Sequence, residues 1–117
     1  LKVLSGIRAT GQQKILTSAD NGDTIEITLY FQSRTNTWKM DIICNDFELN
    51  GLRIYHLPNI LNQYENIIPF GIGVLITDGG EPFLITDFST GRVELAILTP
   101  AEVQSVNDFY VDLQDAG

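Results

Sequence analysis

His56 is the only histidine in the sequence and Cys44 the only cysteine. Zinc takes three or four converging nitrogen and sulfur ligands, and no H-x-H, H-E-x-x-H or C-x-x-C spacing is present. Zinc is therefore excluded, and no cofactor is expected. His56 sits beside a turn signal and reads as a surface or structurally bonded residue. Cys44 falls in the apolar phase of a strand pattern, so it reads as a buried small hydrophobe and not as a reactive thiol. A lone cysteine allows no intrachain disulfide, which fits assembly inside a cell.

The carboxylates Asp41, Asp46, Asp78, Glu81 and Asp87 offer acid–base chemistry in principle. Glycoside hydrolysis needs two carboxyl groups flanking one bond, and nothing in this spacing selects a pair. Asp78-Gly79-Gly80-Glu81 lacks the alternating oxygen ligands and distal glutamate of a calcium loop, so it reads as a glycine-rich turn. Gly71-Ile72-Gly73 has neither the remaining glycine nor the following helix of a dinucleotide fingerprint. Ser89 lies in a turn with no G-x-S-x-G frame and no neighbouring histidine. No catalytic, cofactor or metal set emerges, and the chain is expected not to be an enzyme.

The net charge is −8, from fifteen acidic and seven basic residues among 117. Nucleic-acid binders cluster Lys and Arg to neutralise phosphates, and no such cluster occurs, so neither nucleic acid nor an anionic membrane is expected as a partner. No apolar run approaches the ~20 residues of a membrane helix. The opening Leu1-Lys2-Val3 shows no signal-peptide architecture. The length fits one β-rich domain over 1–117 with a hydrophobic core of its own.

Period-two alternation supplies the elements. Ile25, Ile27, Leu29 and Phe31 share one side of a strand, with Thr24, Glu26, Thr28 and Tyr30 on the other. Asn21-Gly22 before it predicts a tight hairpin with a strand near Gln12–Ser18. Arg34-Thr35-Asn36 is a second turn, leading to a strand with Trp38, Met40, Ile42 and Cys44 on one face. Asn45-Asp46 turns the chain. Phe47-Glu48-Leu49 is a short strand, and Asn50-Gly51 predicts a hairpin returning through Leu52–Tyr55. A short helix is expected over Pro58–Tyr64. Gly71–Thr77 is continuously apolar and reads as a strand buried on both faces or lying between subunits. Phe83–Phe88 reads as irregular, and Arg92–Leu98 as the last strand. Thr99-Pro100-Ala101-Glu102 is a capping box opening a helix to about Tyr110, followed by an acidic tail. Residues 1–18 read as a strand or an arm. The expected fold is mostly β: a small antiparallel barrel or sandwich with a short internal helix and a C-terminal helix.

Several ordered pieces carry a family likeness: Thr37-Trp38-Lys39-Met40-Asp41-Ile42, Leu49-Asn50-Gly51-Leu52-Arg53-Ile54, Pro58-Asn59-Ile60-Leu61-Asn62-Gln63-Tyr64, Phe70–Asp78, then Pro82 and Asp87-Phe88 ahead of a final strand. From about Thr24 to Leu98 the sequence resembles the baseplate plug proteins of cyanophage-type and related contractile-tailed phages. The resemblance implies no activity. It implies a virion component at the central tail baseplate, assembled in the host cytoplasm. Its expected contacts are hub, tube, spike or wedge proteins, in an assembly of three or six copies.

Such a role directs attention to segments that order on a neighbour. Gly71, Ile72, Gly73 and Val74 are candidates for strand addition, because small residues allow close backbone approach. Leu4 and Ile7 in the N-terminal segment, with Val103, Val106 and Tyr110 in the C-terminal one, are further interface candidates. The competing expectation is a small β-sheet module binding a ligand or carbohydrate. It requires at least two of Tyr30, Trp38, Tyr55 and Tyr64 to stand open along a groove.

Overall fold

The computed structural model describes residues 2–57, 59–61, 64, 67–78 and 80–106. The described residues form seven strands: β1 Lys2–Val3, β2 Gln12–Ser18, β3 Thr24–Gln32, β4 Thr37–Cys44, β5 Phe47–Arg53, β6 Gly71–Ile76 and β7 Val93–Leu98. They form a four-stranded meander, β2-β3-β4-β5, and a three-stranded sheet, β1-β7-β6. Every pairing is antiparallel. The sheets do not close into a barrel; the arrangement is sandwich-like.

Alternation sets the large sheet. Ile27 opposes Ile15 on one side and Ile42 on the other, while Leu29 opposes Gln13 and Met40. Ile25, Ile27, Leu29, Trp38, Met40 and Ile42 are fully shielded from solvent. The smaller sheet adds Ile72, Val74, Val93, Leu95 and Ile97 to the same core. Leu4 and Ile7 also enter it, and the Leu4 amide donates to the Leu95 carbonyl at 2.8 Å. The N-terminal segment is thus stitched into both sheets. Gln13, itself buried, holds its path: its side-chain amide bonds both the amide and the carbonyl of Arg8, at 2.9 and 2.7 Å.

The turns at 19–23 and 33–36 form as expected. Gly22 and Asn36 take the left-handed conformation, at φ 91° and 51°. The Asn50-Gly51 hairpin does not form. Phe47–Arg53 is one continuous strand paired to β4, and Asn45, at φ 54°, supplies the turn. Between the pairs Met40↔Leu52 and Ile42↔Leu49 the register shifts, so Asn50 and Gly51 together oppose Asp41. This is a β-bulge. The Gly51 amide donates to Asp41 Oδ1 at 2.8 Å, and Gly51's φ of 72° explains why a glycine stands there. Leu52 and Arg53 accordingly pair with β4 and not with Phe47–Leu49.

Of the expected helix over 58–64, Pro58, Asn62 and Gln63 lie outside the described residues. Ile60 and Leu61 form a turn, and the Tyr64 amide bonds the Leu61 carbonyl at 2.9 Å. The capping box closes in both directions. The Thr99 amide donates to Glu102 Oε1 at 2.9 Å, and the Glu102 amide donates to Thr99 Oγ1 at 3.2 Å. The described helix, α1, covers 100–106.

β6 is buried from Gly71 to Val74, but Leu75 is exposed. Its outer edge is occupied by the chain itself. The Val74 amide donates to the Leu57 carbonyl, the Ile60 amide donates to the Ile72 carbonyl, and Asn59 Oδ1 accepts from the amides of Ile72 and Leu61. Asn59 is buried directly over Gly71, where an added Cβ would lie 2.7 Å from Asn59 Oδ1. Two hydrogen bonds pin that amide, so it cannot give way. Gly71→Ala is expected to destabilise the protein by about 1–3 kcal/mol through overpacking. Urea denaturation checks this, with Gly11→Ala as a near-neutral control because a Cβ there meets open space.

Candidate functional site

The connection between β6 and β7 holds the most organised cluster of charged side chains. Asp87 is 1% exposed, and its Oδ2 accepts from the amides of Phe83 and Leu84 at 2.7 and 2.8 Å. Its Oδ1 lies 3.1 Å from Arg92 Nη1. Arg92 then spans the loop: Nε donates to Asp78 Oδ2 at 2.8 Å and Nη2 to the Glu81 carbonyl at 3.1 Å. The guanidinium also lies 4.8 Å from the centre of the Phe83 ring, within cation–π range.

Two further ties fix the loop to the large sheet. Trp38 Nε1 donates to the Leu84 carbonyl at 2.9 Å. The Trp38 ring is met edge-on by Phe31 and Phe88, at centroid distances of 5.3 and 5.0 Å. Glu81 Oε2 accepts from the His56 amide at 2.8 Å. A backbone held this way presents Phe83, Leu84 and Ile85 outward, with 49%, 47% and 36% of their surfaces exposed. These are three successive large apolar side chains standing open on a loop whose backbone is held in place. They have little conformational freedom left to lose on binding.

Hydrogen bonding to Arg92, and then to the Gly80 amide, holds the Asp78 carboxyl below the ordinary 3.8. A depressed folded-state pKa adds stability above the unfolded value, which is lost as pH falls through the lower folded value. Wild type is therefore expected to be more stable than Asp78→Asn near neutrality, with the gap closing as pH drops below about 4. Paired denaturation curves at several pH values measure this.

The other reactive candidates are committed to structure. Asp41 serves the β-bulge and also accepts from Tyr30 Oη at 3.3 Å. Burial, followed by the charge of Asp41, pushes the Tyr30 hydroxyl pKa up. Asp46 is exposed in the β4–β5 turn. Cys44 is buried, and burial first, then the charge of Asp23, raises its thiol pKa. His56 is exposed, and its described tie is through its backbone. Among the described residues no three His, Cys, Asp or Glu side chains gather to hold a metal. Of the four rings a carbohydrate platform would use, Trp38 is fully buried, Tyr30 and Tyr64 are half-buried, and Tyr55 is 38% exposed.

A family model described as "Cyanophage baseplate Pam3 plug gp18" matches residues 5–100. The chain belongs to this baseplate plug family. The family's role is structural. The match runs from the N-terminal segment through all of β2 to β7 and to the start of α1. It therefore reaches beyond the 24–98 span over which the sequence resemblance is visible. No curated protein matches the sequence.

The plug chain's structure distributes the interface candidates unevenly. Leu4, Ile7, Ile72 and Val74 lie in the core, and Gly71 and Gly73 are buried in β6. Val103 is buried on α1 and Val106 is half-buried; Tyr110 lies outside the described residues. Sequence reasoning missed Phe83, Leu84 and Ile85. The available signal was an apolar triplet without alternation, placed between Pro82 and Asp87, which is an odd composition for a free loop.

Proposed function

We propose that this chain is a structural plug at the centre of a contractile tail baseplate, working through protein–protein contacts and not through catalysis. The family match over 5–100 carries this reading. The carboxylate chemistry supports it. Asp78, Glu81 and Asp87 are spent on Arg92 and on backbone amides, and Asp41 on a bulge, so these four carboxylates are committed to holding the fold.

The neighbours are other baseplate proteins, from among hub, tube, spike or wedge, and the copies number three or six. The surface open to a neighbouring subunit in this reading, a second copy included, is the 83–85 triplet, since 71–74 is shielded within the fold. The mature location is the virion, after assembly in the host cytoplasm. Mass spectrometry of gradient-purified virions tests the role: the chain is expected among the tail proteins at a fixed stoichiometry. Its absence from intact particles would refute the proposal.

A further inference from the structure

The four-stranded sheet has two unlike ends. Register places the 19–23 and 45–46 turns together at one end, because Glu26 opposes Ile43. The 33–36 turn lies at the other, with the end of β5 beside it, because Lys39 opposes Arg53. The first end carries exposed Asp20, Asp46 and Glu48. The second carries exposed Arg8, Arg34 and Arg53. Neither Arg34 nor Arg53 has an ion-pair partner among the described residues. The 83–85 triplet belongs to this second end. Trp38 near the start of β4 bonds Leu84, and His56, just past β5, bonds Glu81. The carboxylates of that loop are already engaged on Arg92 and on backbone amides.

The acidic end contains a matching concavity. A groove of about 440 Å³ runs between the β4–β5 hairpin and the 67–69 segment. Phe47, Ile67, Ile68 and Pro69 give it apolar walls, and Asp46 and Glu48 line it with negative charge. Ile67 is 67% exposed, the second most open large apolar side chain described. One end of the molecule therefore carries a fixed apolar tip and exposed arginines, and the other is an apolar-walled acidic groove. Between them run strands of up to nine residues, or roughly 30 Å at ~3.3 Å per residue.

We propose that copies of this chain associate head to tail, with the 83–85 tip of one copy seated in the 44–48/67–69 groove of the next. The occupant is a second copy because charge and polarity match across the two ends of one molecule. A contact between unlike surfaces is heterologous, and it closes into a ring when the rotation per copy permits. This inference rests on the reading of the chain as a multi-copy contact protein and adds the surfaces through which the copies meet.

Sedimentation velocity of the full chain over a concentration series tests it. Wild type is expected to self-associate, and to do so about tenfold or more weakly when salt rises from about 0.05 to 0.5 M. Phe83→Ser with Leu84→Ser (tip variant) and Asp46→Lys with Glu48→Lys (groove variant) are each expected to be monomeric. An equimolar mixture of the two is expected to stop at a one-to-one dimer, because one intact tip meets one intact groove. Arg34→Glu with Arg53→Glu changes only exposed residues without ion pairs, so it keeps the test valid if the tip variant unfolds; it is expected to lose association as well. The proposal is overturned if wild type stays monomeric throughout the series, if these variants associate as wild type does, or if the folded variants fail to dimerise on mixing. Any of those results alongside a chain present in purified virions would remove the head-to-tail contact and leave the plug role standing.

Discussion

Trp38→Ala is expected to lower stability by about 3–5 kcal/mol, the range for truncating a large buried aromatic. That is a large fraction of the 5–15 kcal/mol typical of a small domain, so the variant should be largely unfolded in mild denaturant. The size follows from three roles in one residue. Trp38 is fully buried, it packs edge-on between Phe31 and Phe88, and its indole N–H is the donor to the Leu84 carbonyl. Trp38→Phe separates these roles, keeping much of the ring packing while removing the donor. It is expected to cost less than Trp38→Ala while speeding amide hydrogen exchange at Leu84 and Asp87. Circular dichroism with urea gives the stability, and exchange mass spectrometry reads the loop. A loss below about 1 kcal/mol for Trp38→Ala would mean the ring is not a core element.

Asp87→Ala is the second large effect. The carboxylate is buried and meets Arg92 and the amides of Phe83 and Leu84. Removing it leaves Arg92 with Asp78 as its remaining carboxylate and strands buried donors, at about 1–3 kcal/mol for each one left unsatisfied. Two of these donors are the backbone amides. Asp87→Asn keeps an acceptor oxygen without the charge and should fall between wild type and Asp87→Ala. Adding Arg92→Met to Asp87→Ala removes the other member of the Asp87–Arg92 pair, so the double variant is expected to be less destabilised than the two single losses summed. Denaturation midpoints of the four proteins measure this coupling. Strict additivity would contradict the arrangement described for the loop.

Much of the large sheet was legible in the sequence because its cause is local. The alternation of Ile25, Ile27 and Leu29, and of Trp38, Met40 and Ile42, reports which face is buried. Asn21-Gly22 reports a turn, and Thr99 with Glu102 reports a helix start. Asn50-Gly51 failed for an equally definite reason. A hairpin turn and a bulge both call for a glycine at positive φ, and what separates them here is Asp41 on the neighbouring strand accepting the Gly51 amide. That partner is distant in sequence and carries no local signature.

The same limit hid the 77–92 loop. Asp78, Glu81 and Asp87 were visible as candidate carboxylates, but Arg92, which pairs with the carboxylates of Asp78 and Asp87 and bonds the Glu81 carbonyl, stands at the far end of the loop and reads as a strand residue. Only the folded chain shows that these charges fasten a backbone and that the fastened backbone displays Phe83, Leu84 and Ile85. The strand 71–74 looked available for the opposite reason. Its apolar run is explained by the core on one side and by Leu57, Asn59 and Ile60 along its edge.

Cryo-electron microscopy of the intact tail end would show whether this chain is a baseplate plug held by its 83–85 loop. Density for this two-sheet fold is expected on the tail axis within the baseplate, with the side chains of Phe83, Leu84 and Ile85 buried against a neighbouring subunit. A baseplate map without this fold, or one in which that triplet faces open solvent, would contradict it.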